Sequence, residues 1–116
     1  MIIRLAKHSG YCFGVKRAIT SALDAANLHQ KVFTIGPLIH NPQIVEHLQK
    51  LGIEVATEID KVKDSTVIVR SHGICKEEMQ TLQSGKNIII DATCPYVSRT
   101  HEIVSQLVKE GYPVYI

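Results

Sequence analysis

Apolar residues recur along this chain at two alternating spacings, and the alternation predicts its elements. Ile2 to Ala6 reads as a short strand, after which Val15, Ala18, Ile19, Ala22, Leu23 and Ala26 mark one face of a helix. Val32 to Gly36 returns to strand. Asn41 is a good N-cap, Pro42 fits the first helical position, Ile44, Val45, Leu48 and Leu51 supply an apolar face, and Gly52 closes the helix. Ile53 to Ala56 is another short strand, and the polar connection around Lys61, Lys63 and Asp64 reads as solvated surface. Thr66 to Arg70 is β-branched and apolar, a buried strand that delivers Ser71-His72-Gly73 to a short helix over Lys76 to Ser84, closed by Gly85. Asn87 to Asp91, with the unbroken run Ile88-Ile89-Ile90, reads as a further buried strand. Val97, His101, Val104, Leu107 and Val108 then line up on a helix ending at Gly111, and Pro113 to Ile116 begins one more strand.

Strands alternating with helices predict an α/β fold, with a mostly parallel sheet flanked by helices and right-handed crossovers. In such a sheet the strand-to-helix loops all emerge at the carboxyl edge, where ligands bind. Four loops of this kind carry Cys12, His40, Ser71-His72 and Cys94. Pro95 suits a first helical position and makes Cys94 the N-cap, facing N–H groups that favour a thiolate. Gly10 and Gly14 flank Cys12, which lets the backbone take positive φ angles or come close to a bulky neighbour. Cys75, by contrast, shares a helical spacing with Met79 and Leu82 and reads as core.

Composition narrows the picture without naming a reaction. The 116 residues, 45% hydrophobic and 21% charged, suit one modest globular domain with a single core. A net charge of +2, from 13 basic and 11 acidic residues with few aromatics, gives no sign of nucleic-acid binding. No apolar stretch approaches membrane-spanning length and no signal peptide is evident, so the expected compartment is cytoplasmic. The three cysteines are odd in number and widely spaced, unlike a secreted disulfide framework. His8, His29, His47 and His101 lack convergent partners and read as structural or exposed, with His101 partly buried beside Val97 and Val104. Lys16 and Arg17 read as a solvated helix face that could also assist an anionic ligand.

Several chemistries fit this edge. Two thiolates with two histidines would make a zinc site, and further thiolates would suit an iron–sulfur cluster. Helix N-termini with His40 and His72 would form a phosphate cradle. A redox-sensing pair would need Cys12 and Cys94 within disulfide distance.

Four motifs stand in order along the chain: Gly10-Tyr11-Cys12-Phe13-Gly14-Val15-Lys16-Arg17-Ala18-Ile19, Gly36-Pro37-Leu38-Ile39-His40-Asn41, Ser71-His72-Gly73 and Asp91-Ala92-Thr93-Cys94-Pro95. Together they resemble the 4-hydroxy-3-methylbut-2-enyl diphosphate reductases, which end the methylerythritol phosphate route to isoprenoids. The resemblance implies one lobe of a three-lobe α/β enzyme built around a 4Fe–4S cluster that three cysteines hold, leaving one iron free for substrate. By motif, Cys12 and Cys94 match two cluster cysteines, and His40 and His72 match histidines that hold the substrate diphosphate. The implied reaction removes an allylic hydroxyl with two electrons and two protons, giving isopentenyl and dimethylallyl diphosphate and water. The electrons would come from a ferredoxin or a flavodoxin.

Residues 1–95 would be the first lobe, and 96–116 the opening helix and strand of a second. No third cluster cysteine is available in the chain, and the family's proton-donating carboxylate, in a histidine-proline-glutamate motif, would follow Ile116. The expectation is therefore a chain that is inactive alone, or a labile cluster holder. The alternative is a non-catalytic metal- or phosphate-binding module.

Overall fold

Helix and strand alternate much as the spacings require. The computed structural model describes residues 1–115 and runs α1 (Phe13–Leu28), β1 (Val32–Ile35), α2 (Pro42–Lys50), β2 (Ile53–Ala56), β3 (Thr66–Val69), α3 (Lys76–Ser84), β4 (Ile88–Asp91) and α4 (Pro95–Lys109). The strands form one parallel sheet in the order β2–β1–β3–β4. Val32 lies opposite both Ile53 and Thr66, and Thr66 lies opposite Ile88. The strands therefore start level, and their carboxyl ends share one edge. Because β2 and β3 lie on opposite sides of β1, the chain leaves β1 and β3 in opposite directions, and a crevice opens between them at that edge.

Alternation along the strands divides the core in two. Val32, Ile53 and Ile68 pack with Ala18, Ala22 and Ala25 of α1 and Leu48 of α2. Methyl side chains at those three positions of α1 let the helix lie close to the sheet. Ile35 and Val67 face the other way, onto Leu82 of α3 and Val62. Val62 follows a short 3-10 helix, Ile59–Lys61, so part of the connection read as solvated surface plugs the second core.

Three expectations fail, each for want of a neighbour. Ile2 to Ala6 is not a strand, and its Ile2, Ile3 and Leu5 are exposed. Apolar residues favour extension, but a strand needs a partner ladder, and this segment pairs with none of the described strands. The strand expected over Pro113 to Ile116 is likewise absent over Pro113–Tyr115, and Ile116 lies outside the described residues. β4 is an edge strand among the described residues and not a buried one: Ile88 is 56% exposed. α4 has no buried residue at all. No helix is long and apolar enough to cross a membrane.

One polar atom sits badly in this core. Thr34 is buried on β1, and its hydroxyl has no partner among the described residues. The void beside it, about 10 Å³ and walled by Leu38, Leu48 and Ile53, is at the lower limit for a water, and Thr34 is the one polar side chain that lines it. Thr34→Val keeps the shape and removes the unsatisfied group, so it should stabilise the chain by about 1 kcal/mol. Urea unfolding checks this, and a loss of stability would show that the hydroxyl is paired in solution.

Candidate functional site at the carboxyl edge

The loop that presents Cys94 is built from local hydrogen bonds. The Asp91 carboxylate accepts from the Thr93 backbone N–H at 2.9 Å and from the Thr93 hydroxyl, turning the chain out of β4. Ala92 N–H donates to the Val69 carbonyl at 3.1 Å, and Cys94 N–H donates to the Ser71 carbonyl at 2.9 Å. Cys94 is the N-cap of α4 with Pro95 at its start, as the sequence predicts. Cys12 is the N-cap of α1, although no strand precedes it.

Gly14 leaves room for Cys94 at the start of α1. A methyl group placed on Gly14 would stand 2.6 Å from Cys94 Sγ and 2.9 Å from its Cβ. The Cys94 thiol therefore rests against the first turn of α1, the helix that Cys12 caps. Gly10 meets the other half of the expectation, with a φ of +118° in the turn before Cys12. Each glycine has one of the two uses that the flanking pattern allows.

The histidines occupy the crevice between β1 and β3. His40 follows β1 and His72 follows β3, and their rings stack with centroids 5.2 Å apart at 26°. A cavity of about 300 Å³ opens beside them, walled also by Tyr11, Asn41 and Ser71. Asn41 accepts from Ile44 N–H at 3.2 Å as the N-cap of α2, and its amide donates to the Tyr11 hydroxyl at 3.3 Å. The cavity thus begins one residue from Cys12. A larger hollow of about 500 Å³ at the opposite edge is lined by His29, Lys31, Asp64 and Lys86, and none of the cysteines or paired histidines reaches it.

The whole pattern has a match among known proteins. The sequence profile of the LytB protein family covers residues 3–116. This chain belongs to the LytB family. It is 44% identical over 116 residues to the 4-hydroxy-3-methylbut-2-enyl diphosphate reductase of Trichlorobacter lovleyi, and 42% identical over 117 residues to the one from Citrifermentans bemidjiense. All of this chain is covered in both cases, but it spans only 41% of each relative's length. A solved structure of (E)-4-hydroxy-3-methyl-but-2-enyl diphosphate reductase superposes with a TM-score of 0.78 at 47% identity, covering 95% of this chain and 40% of that one. The Plasmodium falciparum reductase superposes with a TM-score of 0.85 at 30% identity, covering 91% and 34%.

Within this LytB-family chain the zinc reading does not form. Among the described residues no three histidine, cysteine, aspartate or glutamate side chains converge to hold a metal, and the two histidines stack on each other. Cys75 also departs from expectation. It is exposed and serves as the N-cap of α3. Its extended backbone, φ −73° and ψ 167°, takes the side chain off the helical spacing that linked it to Met79 and Leu82. His101 is exposed rather than partly buried, yet its Cε1 would lie 3.5 Å from a methyl group on Gly73, beside the His72 turn. Arg17 is more than a solvated position on a helix face. Its guanidinium reaches two backbone carbonyls of the Cys94 loop.

Two outcomes follow from this geometry. Gly14→Ala would ordinarily stabilise a helix by about 1 kcal/mol, but here the added methyl collides with Cys94 Cβ, which no rotamer can move. A net loss of about 1 kcal/mol or more in urea unfolding is expected; a gain would mean the Cys94 loop yields freely. At Cys75, the Glu78 backbone N–H acts to lower the thiol pKa, but desolvation and the Glu77 and Glu78 carboxylates outweigh it and leave the pKa raised. Neutralising both carboxylates in Glu77→Gln/Glu78→Gln should lower it and speed alkylation of Cys75 at neutral pH, read by peptide mass spectrometry. An unchanged rate would remove the carboxylates from that account.

Proposed function

We propose that this chain is the N-terminal part of an iron–sulfur reductase that converts 4-hydroxy-3-methylbut-2-enyl diphosphate to isopentenyl and dimethylallyl diphosphate, with loss of the allylic hydroxyl as water. The observation that supports this reading is the seat of Cys94 on the first turn of α1, the helix that Cys12 caps, with Tyr11 next to Cys12 lining the His40–His72 cavity. Cysteines at two helix N-caps offer soft sulfur donors suited to iron. Cys12 and Cys94 would be two ligands of a 4Fe–4S cluster, and a third cysteine would come from the portion of the relatives that this chain does not span. When bound, the cluster supplies electrons, and an iron that acts as a Lewis acid, at this edge.

The chain's own residues bind and orient. His40 and His72 offer imidazole N–H donors to the oxygens of a diphosphate, and the N-terminal N–H groups of α2 face the same edge. Asn41 holds the His40 loop twice, through its cap to Ile44 and through Tyr11. The stacked rings are thereby tied to the Cys12 loop, so an anion held by the histidines lies beside the thiols. Residues 96–116 read as the opening of a second lobe, in keeping with an α4 that buries none of its residues. The electron donor would be a ferredoxin or a flavodoxin. Free thiols at Cys12, Cys75 and Cys94 suit a reducing, cytoplasmic setting.

Anaerobic reconstitution of the purified chain with iron and sulfide tests the ligand assignment. A brown chromophore should form, disappear in Cys12→Ser and in Cys94→Ser, and persist in Cys75→Ser; equal colour in the Cys12→Ser chain would sink the assignment. Titration with inorganic pyrophosphate tests the cradle, where His72→Ala should weaken binding about tenfold. Turnover of the diphosphate substrate by this chain alone, with a reduced donor, would overturn the reading that its site is incomplete.

A further inference from the structure

Arg17 stands on α1, one turn and a residue beyond Cys12, and its side chain leaves that helix for a distant piece of backbone. Nη1 donates to the Thr93 carbonyl at 2.9 Å and Nη2 donates to the Asp91 carbonyl at 3.1 Å. Those partners lie 76 and 74 positions away in sequence. The two carbonyls bracket Ala92, and Thr93 is joined directly to Cys94. A solvated helix face does not account for this. The residue is only partly exposed, and its fork spans both acceptors in the planar, paired geometry that a guanidinium alone provides.

The need for such a clamp comes from what else holds the Cys94 loop. β4 has a neighbour on one side only among the described residues, and α4 buries none of its residues. Ala92 of the loop is buried in the core it shares with Ala18 and Ala22 of α1, and Ile90 of β4 packs against that core, but apolar packing is non-directional and leaves the course of the Cys94 backbone to polar contacts. The Ser71 carbonyl holds the Cys94 N–H to the histidine loop, and Gly14 leaves room for the thiol without pulling it in. Arg17 supplies the side-chain hydrogen bonds that tie this loop to the helix capped by Cys12.

We propose that Arg17 is a positioning residue that sets the spacing of Cys12 and Cys94 by clamping the Asp91 and Thr93 carbonyls to α1. The proposal rests on the reading of these two cysteines as metal ligands. Lysine at position 17 carries the charge but reaches one acceptor at a time, and methionine reaches none.

The test uses the full 116-residue chain, reduced and metal-free, with Arg17→Lys, Arg17→Met and, as a control, Lys16→Met. Iodoacetamide labelling followed by peptide mass spectrometry reads each thiol separately. In Arg17→Met, Cys94 should be alkylated several-fold faster, while Cys75 on its separate loop keeps its rate. Arg17→Lys should fall between, and Lys16→Met should match the parent. Cd²⁺ titration, followed by thiolate-to-metal charge-transfer absorption, should show at least a roughly tenfold loss of affinity in Arg17→Met, the usual scale for removing a group that orients a ligand.

Parental Cys94 labelling in Arg17→Met overturns the proposal whether or not metal binds. Faster labelling of Cys94 with unchanged Cd²⁺ affinity overturns its role at the metal site. Should Arg17→Met fail to fold, Arg17→Lys decides the same question, and parental labelling and affinity there overturn the clamp. If the parent binds Cd²⁺ no better than the Cys12→Ser/Cys94→Ser chain, the ligand reading itself has failed. Faster Cys94 labelling then supports the loop clamp alone.

Discussion

The close approach of Cys94 to the first turn of α1 is the constraint on which the carboxyl edge depends. The thiol occupies space that any side chain at position 14 would fill. That contact joins the last loop of the sheet to the first helix of the chain, and it does so at the helix end that Cys12 caps. The absence of a single side chain leaves the room that this approach needs. Arg17, one turn further along α1, grips the backbone that leads into the same cysteine. Space and tether are thus provided by one helix.

The histidines meet for a different reason, which lies in sheet topology. β1 and β3 are neighbours, and the chain departs from them to opposite sides, so their following loops face each other across a crevice. Parallel strands in level register bring His40 and His72 to the same height, and the rings stack. Asn41 and Tyr11 then couple this crevice to the Cys12 loop. The stacked histidines beside the Cys12 and Cys94 loops are the arrangement on which the proposed reading of this chain rests. The family and the fold of this chain are shared with such reductases over nearly its whole length, although it spans only about two-fifths of theirs.

The periphery is less settled than the centre of the sheet. Ile2, Ile3 and Leu5 are exposed, β4 has an open edge, and α4 lays no residue into either core. Strand propensity at both ends of the chain does not become strand, because a strand needs a ladder and these segments pair with none of the described strands. Cys75 shows the same limit in a helix: periodicity assigns it to a buried face, but an N-cap residue is extended and its side chain leaves that face.

What the amino-acid sequence determined by itself was local. The apolar spacings marked out four helices and the four strands of the sheet, Asn41 and Pro42 announced α2, and Pro95 made Cys94 an N-cap, because caps and periods depend on residues a few positions apart. The motifs around Cys12, His40, His72 and Cys94 were also legible, as was the prospect that Gly14 stood close to something bulky. What that something was, only the tertiary structure decided. The Cys94 contact, the Arg17 tether, the stack of His40 on His72 and the exposure of Cys75 all join residues, or separate them, through the register of the sheet and the packing of helices on it. Those are long-range relations, and no spacing along the chain encodes them.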